Sequence, residues 1–117
     1  MIRCILFVVL LVTSSVPIYN VKTTGYCPGP PCVHPKWADG KTAAGTPARH
    51  GVCAADWNVF PKGQVFDVPG YGRCRVEDTG NKVNGMHLDL YFDDIEDARR
   101  WGVQTLTVYW VANEEVS

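Results

Sequence analysis

The chain has 117 residues, enough for one domain and little else. With 46% hydrophobic and 20% charged residues it reads as globular rather than disordered. A formal net charge of -1 and the lack of a basic stripe argue against nucleic acid as a partner.

The N-terminus reads as a targeting segment. Arg3 supplies a short positive region, Cys4 to Val12 an uncharged apolar run, and TSSVPIYN a small, polar continuation. The apolar run falls short of the roughly 20 residues that a comfortable membrane span needs. Residues 1–15 are therefore expected to be a secretory signal peptide, with Thr13 and Ser15 as the small pair before the cut. The alternative is an uncleaved signal anchor, and the leader is the only membrane contact expected. Export places the protein outside the cytoplasm: secreted, periplasmic or associated with the cell wall.

Removal of the leader takes Cys4 with it and leaves Cys27, Cys32, Cys53 and Cys74. An even number of cysteines in a small exported domain points to two disulfides. Three pairings are possible and the sequence does not choose among them. Closure of the tight CPGPPC loop favours Cys27–Cys32 with Cys53–Cys74. A zinc site from Cys27, Cys32 and His34 competes, but the spacing is not that of a standard finger and no second cysteine pair follows.

The domain itself is expected over residues 20–113. YNVKTTGYC (Tyr19 to Cys27) alternates as a first strand, and the Pro- and Gly-dense segment up to Gly51 is a long loop of the kind that often carries function. VCAAD, QVFDV, GRCRVED and HLDLYF are short strands divided by WNVFPKG, PGYG and TGNKVNG. One helix follows, DDIEDARRWG. Its acids come first, Arg99 and Arg100 last, and Gly102 stands as the cap, an order that complements the helix dipole. Ile95, Ala98 and Trp101 form its buried stripe. The final strand, VQTLTVYWV, sets Leu106, Val108 and Trp110 on one face and Thr105, Thr107 and Tyr109 on the other. This spacing suggests an all-β barrel or sandwich with one short helix.

Aspartate is a poor residue for a strand interior, yet Asp89 stands in the middle of HLDLYF. Side chains alternate along a strand, so Leu88, Leu90 and Phe92 point one way, and His87, Asp89 and Tyr91 the other. Asp78 opens the DTG turn and Asp56 ends an apolar strand. Each of these two, taken singly, reads as a local cap.

Taken together, KTAAGTPARHGVCAAD, VEDTG and HLDLYF resemble, in this order, the bacterial 3D domain, named for its three aspartates. That domain occurs in a membrane-bound lytic transglycosylase of Gram-negative cell walls. It also occurs in small stationary-phase survival proteins and resuscitation-promoting factors of Gram-positive bacteria. The resemblance runs from about Thr23 to Val111, and the family aspartates fall on Asp56, Asp78 and Asp89. It implies a six-stranded double-psi β-barrel. It also implies cleavage of peptidoglycan glycan strands between N-acetylmuramic acid and N-acetylglucosamine, with Asp89 as the acid, Asp78 assisting beside it, and Asp56 as the third member. One departure is the loop GNKVNG, where Asn84 replaces a lysine common in the family and Lys82 is displaced.

The implied reaction needs one carboxyl rather than the usual two of a glycosidase, because the muramic acid C6 hydroxyl is itself the nucleophile. That carboxyl must hold a proton near neutral pH, which burial and a neighbouring carboxylate favour. Tyr91, His87, Thr79, Trp37 and Trp57 are the expected sugar contacts. No cofactor and no metal are expected: Asp56, Asp78, Asp89 and His87 do not have the spacing of a known cation loop. The competing reading is a non-catalytic polysaccharide binder, since double-psi barrels also occur in expansin-like and barwin-like proteins.

Overall fold

The computed structural model of the chain describes residues 15–28 and 40–112. Apart from Ser15, the expected signal peptide lies outside the described residues. So do Cys32, His34 and Trp37, and with them the expected Cys27–Cys32 bridge and the competing zinc set.

Six strands and one helix follow one another: β1 (Ser15–Tyr26), β2 (Val52–Ala55), β3 (Val65–Val68), β4 (Gly72–Asp78), β5 (His87–Tyr91), α1 (Ile95–Trp101) and β6 (Gln104–Val111). The strands close into a barrel in the order β1-β5-β2-β4-β3-β6. Two connections each step over one strand. The path from β1 to β2 passes β5, and the path from β4 to β5 passes β2. Since β1 is parallel to β5, β4 parallel to β2, and β2 antiparallel to β5, each step joins antiparallel strands around a third. These are the two psi motifs expected of a double-psi barrel, and closure leaves no free sheet edge.

The first strand begins at Ser15, further back than the expected Tyr19, because Ser15 to Ile18 pair with the end of β6. A bulge makes this possible. Ile18 faces Val108 and Val21 faces Leu106, so β1 spends one residue more than its partner. Asn20 absorbs it with a φ of 58°, a left-handed conformation that asparagine tolerates better than most residues. The bulge restores the core-facing phase, and Val21 is fully buried.

Inward-pointing Val21, Cys53, Phe66, Cys74, Val76, Leu88, Leu90 and Val108 fill the barrel. Its α1 end is closed by the aromatic cluster of Tyr71, Phe92 and Trp101. Asp94 caps α1 by accepting from the Glu96 N–H at 2.9 Å, and Gly102 ends it with a φ of 67°. Ala98 is the buried residue of the helix, and β1 approaches it so closely that a Cβ on Gly25 would lie 3.1 Å from the Ala98 carbonyl oxygen and 2.9 Å from the Phe92 ring. Buried Thr23 is satisfied in the same region. It donates to the Gln104 carbonyl at 2.7 Å and accepts from Trp101 Nε1 at 3.1 Å.

Cys53 and Cys74 are bridged between the parallel neighbours β2 and β4, with Cα atoms 5.6 Å apart. Cys27 is also disulfide-bonded, and its partner lies outside the described residues. The Cys53–Cys74 bridge spans 21 residues and is fully buried. Closing a loop of that length restricts the unfolded chain by about 3 kcal/mol. The double substitution Cys53→Ala with Cys74→Ala is therefore expected to lower unfolding stability by about that amount in denaturant melts. An unchanged midpoint would contradict this role.

Candidate active site

The site is a row of outward-pointing side chains that crosses four strands. Thr24 of β1 is paired with Asp89 of β5, Asp89 with Ala54 of β2, and Ala54 with Asp78 of β4. Register partners point to the same face, so all four project to one side of the sheet. Ala54 keeps the floor between the two aspartates low. With strands about 4.8 Å apart, the two aspartate Cα atoms stand roughly 10 Å apart.

Asp78 joins this row through a second bulge. Cys53 is paired with Val76, both fully buried, and the next residue of β2, Ala54, is paired with Asp78 rather than Glu77. The extra residue, Glu77, turns aside and binds the preceding loop. Its carboxylate accepts from Arg49 Nη1 and Nη2, both at 2.9 Å, and from the Thr46 hydroxyl at 2.5 Å. Arg49 is the main reason that its pKa is held below the ordinary value. The Glu77 carbonyl also accepts from Ala44 N–H at 3.0 Å. This clamp holds the neighbouring Ala43 N–H on Asp78 Oδ1 at 2.9 Å.

The two aspartates have different surroundings. Asp78 accepts three hydrogen bonds: from Ala43 N–H, from Thr79 N–H at 2.9 Å, and from the Tyr26 hydroxyl at 3.1 Å. Asp89 is half-buried and has one donor in reach, the Thr24 hydroxyl at 2.7 Å from Oδ1. Burial pushes the Asp89 carboxyl up to about 6. Thr24 opposes the shift and the charge of Asp78 adds to it. The Tyr26 phenol, hydrogen-bonded to Asp78, is raised, first by burial and then by Asp78. The protein has thus built one acceptor held by fixed donors and one carboxyl that keeps its proton up to about pH 6.

The other expected residues divide. His87 is on the same face, with Nε2 2.7 Å from the Thr24 hydroxyl. Thr79 is exposed at the rim. Tyr91 is only 5% exposed and packs edge-on against Tyr26 at 5.4 Å. A sugar platform needs an open ring face, so Tyr91 supports the floor instead. Trp57 is partly buried against the core, donates its indole N–H to the Asp78 carbonyl at 2.9 Å and carries Lys62 over its ring. It braces the backbone of Asp78. Asp56 uses both oxygens on backbone N–H groups, those of Asn58 at 3.0 Å and Gly85 at 3.2 Å. It thereby ties the turn after β2 to the loop before β5. Trp37 lies outside the described residues. Among the described residues no group of three or more His, Cys, Asp or Glu could hold a metal ion.

Three residues of β1 were not anticipated: Lys22, Thr24 and Tyr26. They alternate with inward-facing Val21, Thr23 and Gly25, and lie beside His87, Asp89 and Tyr91. The period-two pattern of KTTGY was visible in the sequence, but its pairing partner was not.

The model of the 3D domain matches residues 51–112, more than half of the chain. The chain belongs to the 3D domain family. Two curated relatives come from Bacillus subtilis (strain 168). The cell wall-binding protein YocH is 40% identical over 57 residues, covering 49% of this chain and 20% of that protein. YabE, whose name assigns it to cell wall shaping, is 31% identical over 102 residues, covering 81% of this chain and 23% of that protein. The chain thus spans only about a fifth to a quarter of these relatives. Among solved structures, MltA from E. coli overlays with a TM-score of 0.50 at 20% identity, over 66% of this chain and 28% of that one. At that identity the likeness is one of fold: the 3D domain here adopts the MltA barrel.

The electrostatics of Asp89 bear on stability with a definite sign. Folding raises its pKa from 3.8 to about 6, so the folded state holds the proton more tightly than the unfolded chain. That contribution is complete below about pH 4 and is lost as pH rises through 6. Asp89→Asn abolishes this dependence. Relative to the wild type it is expected to be more stabilising at pH 7.5 than at pH 4, by about 1–3 kcal/mol, in denaturant melts at the two pH values. An equal effect at both would contradict a raised Asp89.

Proposed function

We propose that this 3D domain is a peptidoglycan lytic transglycosylase with Asp89 as its single acid and base. The observation that carries the reading is one half-buried carboxyl, pushed up to about 6, set in a sheet row with a second, fully hydrogen-bonded carboxylate. Membership of the 3D family supports it, as does the fold shared with MltA, which is described as having a lytic transglycosylase fold. The disulfide between Cys53 and Cys74 supports export to an oxidising compartment at the cell wall.

The reaction follows from one proton. Protonated Asp89 gives its proton to the glycosidic oxygen between N-acetylmuramic acid and N-acetylglucosamine, and the C1–O bond breaks. The Asp89 carboxylate then takes the proton of the muramic acid C6 hydroxyl as that oxygen bonds to C1. The products are a free 4-hydroxyl and a 1,6-anhydro ring, and Asp89 is protonated again. Asp78 has two tasks: its charge adds to burial in raising Asp89, and it stabilises the positive charge developing at C1. In this reading exposed Thr79 at the rim and exposed Lys22 opposite His87 would contact the glycan strand and its stem peptides.

A second reading, cell-wall binding without cleavage, is favoured by the name of YocH. Product analysis separates the two. The purified protein is expected to release 1,6-anhydromuropeptides from sacculi, seen by mass spectrometry. Asp89→Asn, checked for folding by circular dichroism, is expected to lose at least about 10²–10⁴-fold in rate, the usual worth of general acid–base catalysis. Asp78→Asn is expected to lose less. The rate should fall as pH rises past about 6, where the acid form of Asp89 is lost. Sedimentation with sacculi and no released anhydro sugar from the wild type would replace the enzyme with the binder.

A further inference from the structure

Thr24 has one hydroxyl hydrogen and two neighbours that compete for it. Its Oγ1 lies 2.7 Å from His87 Nε2 and 2.7 Å from Asp89 Oδ1. The contact is fixed by strand register, with Lys22 opposite His87 and Thr24 opposite Asp89 along the parallel pair β1 and β5. A hydroxyl donates once and accepts up to twice, so two fully bonded arrangements exist. In the first, His87 Nε2–H donates to Thr24 Oγ1 and Thr24 O–H donates to the Asp89 carboxylate. In the second, Asp89 Oδ1–H donates to Oγ1 and Thr24 O–H donates to a bare His87 Nε2.

Starting from the imidazolium and carboxylate, the exchange moves one hydrogen along each link, from nitrogen to Oγ1 and from Oγ1 to Oδ1. The result is neutral imidazole and carboxylic acid. One proton has passed from His87 to Asp89, and the count of atoms and charge is unchanged. No water is needed.

We propose that His87, Thr24 and Asp89 share a proton through the Thr24 hydroxyl, which makes His87 a positioning residue that governs whether the acid of the groove is protonated. The catalytic consequence rests on the reading of Asp89 as the acid, whereas the coupling itself does not. The charged groups around the relay act in one direction. Lys22 on β1 disfavours the imidazolium and Asp78 on β4 disfavours the carboxylate, so both push the shared proton toward Asp89. The Lys82 backbone alone favours the charged ring, and the Tyr26 hydroxyl is occupied by Asp78. Burial moves the two groups toward each other in titration, lowering His87 and raising Asp89 to about 6, and sites that interact in this way titrate as a pair.

The test is an NMR titration of the isotope-labelled protein from acid to alkaline pH, following the His87 ring nitrogens and the Asp89 carboxyl carbon without substrate. In the wild type each nucleus is expected to show two inflections, its own and its partner's. Thr24→Val should reduce each to a single step, and Thr24→Ser should restore both. A single independent step at each nucleus of the wild type overturns the proposal, and so does a Thr24→Val curve that superimposes on it. Should Thr24→Val fail to fold, the wild-type curves decide alone. A kinetic arm reads the consequence. In His87→Ala the Thr24 hydrogen is always available to Asp89, so the alkaline limb of anhydro-sugar release should move down by roughly half to one pH unit. An unmoved limb removes His87 from control of the acid. Absence of product from every variant, with the coupled titration intact, would sink the enzyme reading and leave the relay standing.

Discussion

The site depends on β2 being held between β4 and β5. Neither neighbour adjoins it in sequence, since the crossing connections of the barrel put it there. Ala54 is consequently flanked by Asp89 on one side and Asp78 on the other. Two carboxylates from consecutive strands that do not pair with each other share one face across a residue too small to separate them. The barrel core beneath, from Leu88 and Leu90 to the Cys53–Cys74 bridge, makes the floor rigid. Groups on strands of a packed barrel can hold a geometry that loop residues would blur.

What distinguishes the two carboxylates is the supply of donors. Asp78 receives two backbone N–H groups and a phenol, and one of those N–H groups is held in place by the Glu77–Arg49–Thr46 clamp. Asp89 receives one hydroxyl that is contested by His87. Removal from water therefore costs the Asp89 charge more than its bonds return, and the Asp78 charge increases that cost. The strand accepts an aspartate because it points away from the core, onto a face where it stays protonated up to about pH 6.

Much of this fold was legible in the sequence. The helix and the five strands after β1 lie where alternation, turn residues and caps put them, because they are bounded by strong local signals such as Asp94 and Gly102. The face of Asp89 followed from period two. What escaped depends on register. The bulge at Asn20 carries β1 back to Ser15, and the bulge at Glu77 sends that carboxylate to the clamp and Asp78 to the face of Asp89. One residue more or less inverts a strand's faces, and no local pattern announced either insertion. Thr24 and Tyr26 were hidden because parallel pairing joins β1 to a strand more than sixty residues away. Asp56 and Trp57, expected as site residues, hold the turns and backbone that carry the site, a task that period and spacing did not reveal.

The direct measurement of the central claim is the ionisation midpoint of Asp89, read from its carboxyl carbon by NMR in the substrate-free protein and in Asp78→Asn. A midpoint near 6 is expected in the wild type, and a lower one, still above the ordinary carboxylate value, in Asp78→Asn, where burial is opposed by the Thr24 hydrogen bond without help from a second charge. A wild-type midpoint near 4, the ordinary aspartate range, would contradict the claim that this row of side chains is built around a raised acid.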